Sequence, residues 1–185
     1  LLHIAEILAG KFKRGWVLKG NHDERIARYL QGNFDYRFLG MGFPQNISFS
    51  EYPYCIVNKR FRVTHPLKNA RRIPGSLPLA LAMKYKMCAI GAHTHIAGYQ
   101  IKFDKLGKRR LGIDIGALCL PEKTAYIAEG ESTYPWWNPG FCIIQGDTVT
   151  HWYYDNAEER EYENWFKVDK KGELVEWHVK EIRTK

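Results

Sequence analysis

The chain has 185 residues, 45% of them hydrophobic and 14% aromatic, with a formal charge of +8. That is long enough for one sizeable core and argues against two full domains, so a single domain over 1–185 is expected. No apolar run reaches the ~18 residues of a membrane span, and the first residues lack the basic, apolar, small-residue order of a secretory signal, so a soluble, cytoplasmic protein without membrane contact is expected.

The chain opens in Leu1-Leu2-His3-Ile4-Ala5-Glu6-Ile7-Leu8, whose apolar residues at 1, 4, 5 and 8 recur at helical spacing. Gly15-Trp16-Val17-Leu18 is a short apolar run, Lys19-Gly20-Asn21-His22-Asp23 follows it, and Glu24 to Leu30 returns to a helical pattern. This is a strand, a tight turn and a helix. Such a turn carries Asn21, His22 and Asp23 to the carboxyl end of a strand, where open α/β sheets hold their ligands. Asn offers a neutral metal-binding oxygen, His transfers protons near neutral pH, and Asp selects which imidazole nitrogen is protonated. The plainer alternative is a polar helix N-cap.

Strand-like runs follow at 46–50, 53–57 and 60–64, with Asn58-Lys59 as a hairpin turn between the last two. The hairpin delivers His65 to a strand end. The basic loop Lys68-Asn69-Ala70-Arg71-Arg72 comes next, and Lys68, Arg71 and Arg72 are candidate contacts to an anionic substrate. Residues 1–75 hold 13 Lys+Arg against 5 Asp+Glu, whereas 76–185 hold 15 of each, so the whole positive excess lies in the first part. A field of that sign attracts phosphoesters, nucleotides or nucleic acid.

Ser76 is placed as the cap of a helix running to about Tyr85, and Met87-Cys88-Ala89-Ile90-Gly91 is an apolar strand that ends at His93-Thr94-His95. Two histidines at i and i+2 after a strand suit one metal site. A hairpin is expected over about 98–103 and 109–115, then the polar, aromatic loop 129–140, strands at about 141–145 and 148–154, and an acidic stretch from Asp155 to Glu163. Within 165–182, Lys170-Lys171-Gly172 joins two alternating strands, so 155–185 is read as a strand-rich C-terminal extension. Cys55, Cys88, Cys119 and Cys142 lie in apolar strand-like runs without a CxxC pair, which reads as buried free thiols. The Trp136-Trp137 pair offers base stacking, with core packing as the simpler role.

Three blocks in order carry a family resemblance. Gly20-Asn21-His22-Asp23 resembles the GNH(D/E) block of the calcineurin-like metallophosphoesterases. Val63-Thr64-His65-Pro66 resembles their lone-histidine block, and Gly91-Ala92-His93-Thr94-His95 resembles their GHxH block with Ala92 inserted. The resemblance implies an α/β fold, part of a two-sheet β-sandwich flanked by helices. It also implies hydrolysis of a phosphomonoester or phosphodiester with two divalent transition metals, Mn, Fe, Ni or Zn, which neutralise charge developing at phosphorus. By that resemblance Asn21, His65 and His93 bind one metal and His95 the other, while His22 protonates the leaving alkoxide and Asp23 orients its ring. The family's DxH and GDxxD blocks do not occur in these residues. The resemblance therefore covers roughly 1–120, and an N-terminally truncated domain is expected. The competing expectation is a catalytically inactive scaffold of the same fold that binds protein or nucleic acid. The His22-Asp23 pair counts against it, since a scaffold needs no general acid.

Overall fold

The computed structural model describes residues 2–66, 73–118, 137–156 and 158–182. It is an α/β protein with mixed sheets and few helices. Among the described residues no helix is long and apolar enough to cross a membrane. The chain divides into two compact units, the first comprising 1–55 with 65–68 and the second 56–64 with 69–185.

In the first unit α1 (Leu2–Lys11) precedes β1 (Gly15–Leu18), α2 (Asn21–Tyr29) and β2 (Ile47–Ser50). β1 and β2 pair in parallel, Val17 opposite Phe49. Ala5 of α1 is buried, and the Asn46 amide donates to the carbonyl of Ala9, in the helix's last turn, and to that of Phe12 just beyond it.

The second unit is built on two sheets. β3 (Tyr54–Val57), which passes from the first unit into the second, begins a five-stranded sheet with β4 (Phe61–Thr64), β5 (Cys88–Gly91), β6 (Ala97–Phe103) and β7 (Arg109–Ile115). Its spatial order is β3-β4-β5-β7-β6, with β4, β5 and β7 parallel and the β6–β7 hairpin antiparallel. β8 (Gly140–Gln145), β9 (Thr148–Asp155), β10 (Arg160–Val168) and β11 (Leu174–Ile182) form a four-stranded antiparallel meander. Phe61, Cys88, Ile90, Leu111 and Ile113 from the first sheet and Val149, Phe166, Val168 and Leu174 from the second make one buried cluster. Each such side chain contributes about 1.5–3 kcal/mol by leaving water. The strand-rich segment expected over 155–185 is built into this core, because β10 and β11 supply three of its members. β10 also starts at Arg160, inside the acidic stretch and five residues before the expected strand.

On the opposite face of the five-stranded sheet lies α3 (Ser76–Tyr85). A Cβ on Gly112 would stand 2.1 Å from the backbone nitrogen of Leu79, so only glycine lets the helix come this close to β7. The helix starts at Ser76, but Ser76 is its first residue and Gly75 occupies the cap, at φ +73. Pro78 sits in the first turn, where its missing N–H costs no hydrogen bond. Arg110 is 2% exposed. Its guanidinium pairs with Asp104 at 2.9 Å and donates to the Lys86 and Gly172 carbonyls, tying the β6–β7 turn to the end of α3 and to the β10–β11 turn.

The Asn58-Lys59 turn forms as expected. Both residues have positive φ, 51° and 58°, and Arg60 N–H donates to Val57 O at 3.1 Å. Lys at a left-handed position carries a steric cost that glycine avoids, so Lys59→Gly is expected to stabilise the protein by about 1 kcal/mol. A higher denaturant midpoint at unchanged m-value is the check.

The thiols of Cys55, Cys88 and Cys142 are free. Cys88 is fully buried, whereas Cys55 and Cys142 are partly exposed, a less complete burial than the sequence suggested. Cys119 lies outside the described residues.

Candidate functional site

β1 ends at Leu18, and the chain turns through Lys19 and Gly20 straight into α2. The helix begins at Asn21, three residues earlier than its apolar pattern suggests, because Asp23 Oδ2 accepts the Gly20 N–H at 2.7 Å and caps the first turn. Lys19 braces the same turn from outside. Its ammonium lies 3.0 Å from Glu24 Oε2 and 4.3 Å from the centre of the Tyr36 ring, while the Tyr36 hydroxyl donates to Glu24. The Lys19 hydrogen bond holds the Glu24 carboxyl below its usual range.

This bracing fixes Asn21 at the helix start. Its Oδ1 lies 2.8 Å from His65 Nε2, and the pair reads as the imidazole N–H donating to the amide oxygen. His65 follows β4 directly, as expected, and its own N–H donates to Pro53 O at 2.8 Å. Two adjacent ligands on a metal with bonds of about 2.1 Å stand roughly 3 Å apart. The two atoms stand that close through their hydrogen bond, and once Nε2 gives up its proton an amide oxygen with an imidazole nitrogen suits a divalent transition metal. His22 is the second residue of α2, and its side chain lies outside what the structure describes.

His93 and His95 belong to the second unit, with Asn21, His22, Asp23 and His65 in the first. β5 runs parallel between β4 and β7, with Gly91 opposite both Thr64 and Asp114, and Ala92 N–H donates to Thr64 O at 3.2 Å. The chain then bends sharply. His93 and His95 have φ of 110° and 63°, a region that residues with a Cβ seldom occupy, at a cost on the order of 1–3 kcal/mol each. Both histidines are partly buried, and Thr94 between them is buried.

The bend is supported from residues 137–138. Asn138 N–H donates to His95 O at 3.0 Å, its Oδ1 accepts the Ala97 N–H, and the Trp137 ring stands edge-on to the His95 ring with centroids 3.9 Å apart. Trp137 is 5% exposed, so it packs as a core residue and presents no open face for a base. Trp136 lies outside the described residues.

Asp114 is not among the candidates that the sequence yields. It is 1% exposed near the end of β7, and Oδ2 accepts the Gly75 N–H at 2.8 Å. Burial pushes its carboxyl up to about 7, opposed by the Gly75 N–H and by Thr94. The signal was present as a lone Asp in the apolar run Leu111-Gly112-Ile113-Asp114-Ile115, since a carboxylate on a core strand is strongly perturbed and such groups gather at functional sites.

The proposed substrate contacts Lys68, Arg71 and Arg72 lie outside the described residues. Among the described residues no three His, Cys, Asp or Glu side chains converge to hold a metal. An open cavity of about 400 Å³ beside α3, lined by Ile73, Ser76, Met83, Gln100 and Lys102 among others, includes none of the candidate ligands. Comparison of the chain with known protein families, with curated proteins and with solved structures finds no match, so the reading of these residues rests on their own chemistry.

Proposed function

We propose that this chain carries the later ligand blocks of a metal-dependent phosphoesterase that hydrolyses a phosphomonoester or phosphodiester, its fold being part of the family's two-sheet sandwich. The observation that carries the reading is the Asn21–His65 pair, two residues 44 apart in sequence whose Oδ1 and Nε2 lie 2.8 Å apart. The strained backbone at His93 and His95 supports it, since such strain persists where function needs a fixed side-chain direction. The positive charge of residues 1–75 suits an anionic substrate.

By the resemblance, Asn21, His65 and His93 would hold one divalent ion and His95 would contribute to a second. When bound, the two ions supply an activated water and neutralise charge at phosphorus. His22 stays off the metal and gives its proton to the leaving alkoxide. Asp23, whose Oδ2 accepts the Gly20 N–H, would by the same resemblance orient the His22 ring.

Three neutral ligands leave a divalent ion's charge uncompensated, and one histidine does not hold a second ion. The chain of 185 residues is therefore expected to bind at most one Mn or Zn, weakly, and to hydrolyse nitrophenyl phosphoesters no faster than background with excess manganese. A chain that also carries DxH and GDxxD blocks is expected to hydrolyse them, and His65→Ala there to abolish both activity and tight binding of the first ion. Metal binding indifferent to His65 in both chains overturns the reading. Tight binding of two ions by the 185 residues overturns the ligand assignment.

A further inference from the structure

β11 is an edge strand. It pairs with β10 on one side, and among the described residues nothing pairs along the other, which leaves a row of N–H and C=O groups able to accept another strand. Trp177 and Val179 stand opposite Phe166 and Asn164, two fully buried residues of β10, yet they are 40% and 52% exposed. A further strand in the same sheet would cover them. On the other face of β11, Glu176 stands opposite Lys167 and Lys180 opposite Glu163.

Charges on an edge strand ordinarily deter pairing. Here their order does the reverse for one partner. Read antiparallel about His178, Glu176-Trp177-His178-Val179-Lys180 is its own complement, with each Glu176 facing Lys180 and each Trp177 facing Val179. We propose that the occupant of this edge is a second copy of the chain, with two β11 strands paired antiparallel about a two-fold axis at His178. The four-stranded sheet then continues from one copy into the other, as an isologous contact. On the charged face the rows run Lys167, Glu176, the partner's Lys180, the partner's Glu163, alternating in sign throughout. On the opposite face Trp177 packs beside the partner's Val179, next to the ends of the two cores. A slip of one residue puts Trp177 on the wrong face. A slip of two in either direction breaks both Glu–Lys pairs, so the register is specified.

The test is the molar mass of the full chain by light scattering, with the single reversals Glu176→Lys and Lys180→Glu, each checked for folding by thermal unfolding. The wild type is expected near twice its 21.6 kDa and each reversal near the monomer mass, because like charges then face each other twice across the axis. An equimolar mixture of the two reversals is expected to recover the dimer mass, since both charged positions are acidic in one variant and basic in the other, and opposite charges again meet at each crossing. His178→Cys places two thiols directly across the axis, within disulfide reach, and is expected to cross-link on mild oxidation where wild type does not. A monomeric wild type, dimers that survive both reversals, or a mixture that stays monomeric overturns the proposal. The survival outcome would assign association to another surface, such as the exposed Ile7 and Phe12 of the first unit.

Discussion

Replacing His22 by Asn or Gln, in a chain that also carries the DxH and GDxxD blocks, is expected to lower turnover by about 10² to 10⁴ while leaving bound metal unchanged, because proton transfer to a leaving group is worth that much. The split follows from the assignment. On the proposed assignment Asn21 and His65 would be the ligands in this part of the chain, with Oδ1 and Nε2 2.8 Å apart, and His22 is not among them. The deficit is expected to depend on the leaving group. An alkoxide needs a proton as the bond to phosphorus breaks, whereas a nitrophenolate leaves without one, so the loss should be steep for alkyl esters and shallow for nitrophenyl esters. Equal losses on both substrate types, or loss of metal together with turnover, would remove His22 from the role of general acid.

Asp114→Asn is expected to stabilise the metal-free protein at pH 8 and to leave it unchanged at pH 4. The carboxyl is raised from about 3.8 to about 7 by burial, so the folded state favours its protonated form. A group raised in this way adds stability that is complete below the unfolded value and is lost as pH climbs through the folded one. Between pH 4 and 7 that loss approaches roughly 4 kcal/mol, at about 1.4 kcal/mol per pH unit. Asn keeps an oxygen for the Gly75 N–H and never ionises, so it removes the loss. His151 sharpens the experiment. It is fully buried, and burial lowers its imidazole to about 4, so the folded state favours the neutral ring and stability falls as pH drops from 6.5 toward 4, by roughly 3 kcal/mol. The two groups oppose each other across nearly the same window. Wild type should thus show a shallow profile, and Asp114→Asn should rise with pH from 4 to about 6.5. Urea midpoints at a series of pH values measure both. A substitution effect equal at pH 4 and pH 8 would show that the carboxyl is not raised in the folded state.

Much of the local structure was legible because it depends on neighbours in sequence. The run Cys88-Ala89-Ile90-Gly91 reads as a buried strand, and the 97–103 and 109–115 segments read as a hairpin around a Gly-containing turn, within one residue of their observed bounds. The Asn58-Lys59 turn and the start of α3 at Ser76 follow from turn and helix chemistry that acts over a few residues. Two boundaries were misplaced for opposite reasons. α2 begins early because one short contact, Asp23 to Gly20, extends it beyond its apolar pattern. β10 begins early because Arg160, Glu161 and Glu163 are held in a ladder between β9 and β11, and charge density alone reads as loop.

The candidate residues divide in the same way. Asn21, His65, His93 and His95 were found by residue type and order, which is information carried along the chain. That Asn21 Oδ1 meets His65 Nε2, that the peptide of Asn138 holds the His95 bend, and that β5 lies between β4 and β7 were decided by tertiary structure. So was the burial of Arg110, Asp114 and His151. Sequence assigns each side chain its groups and its local backbone preference. Whether a carboxyl is ionised, or an oxygen finds a nitrogen 44 residues away, depends on what surrounds it once the sheets have packed, because desolvation and hydrogen bonding are properties of a site and not of a residue type.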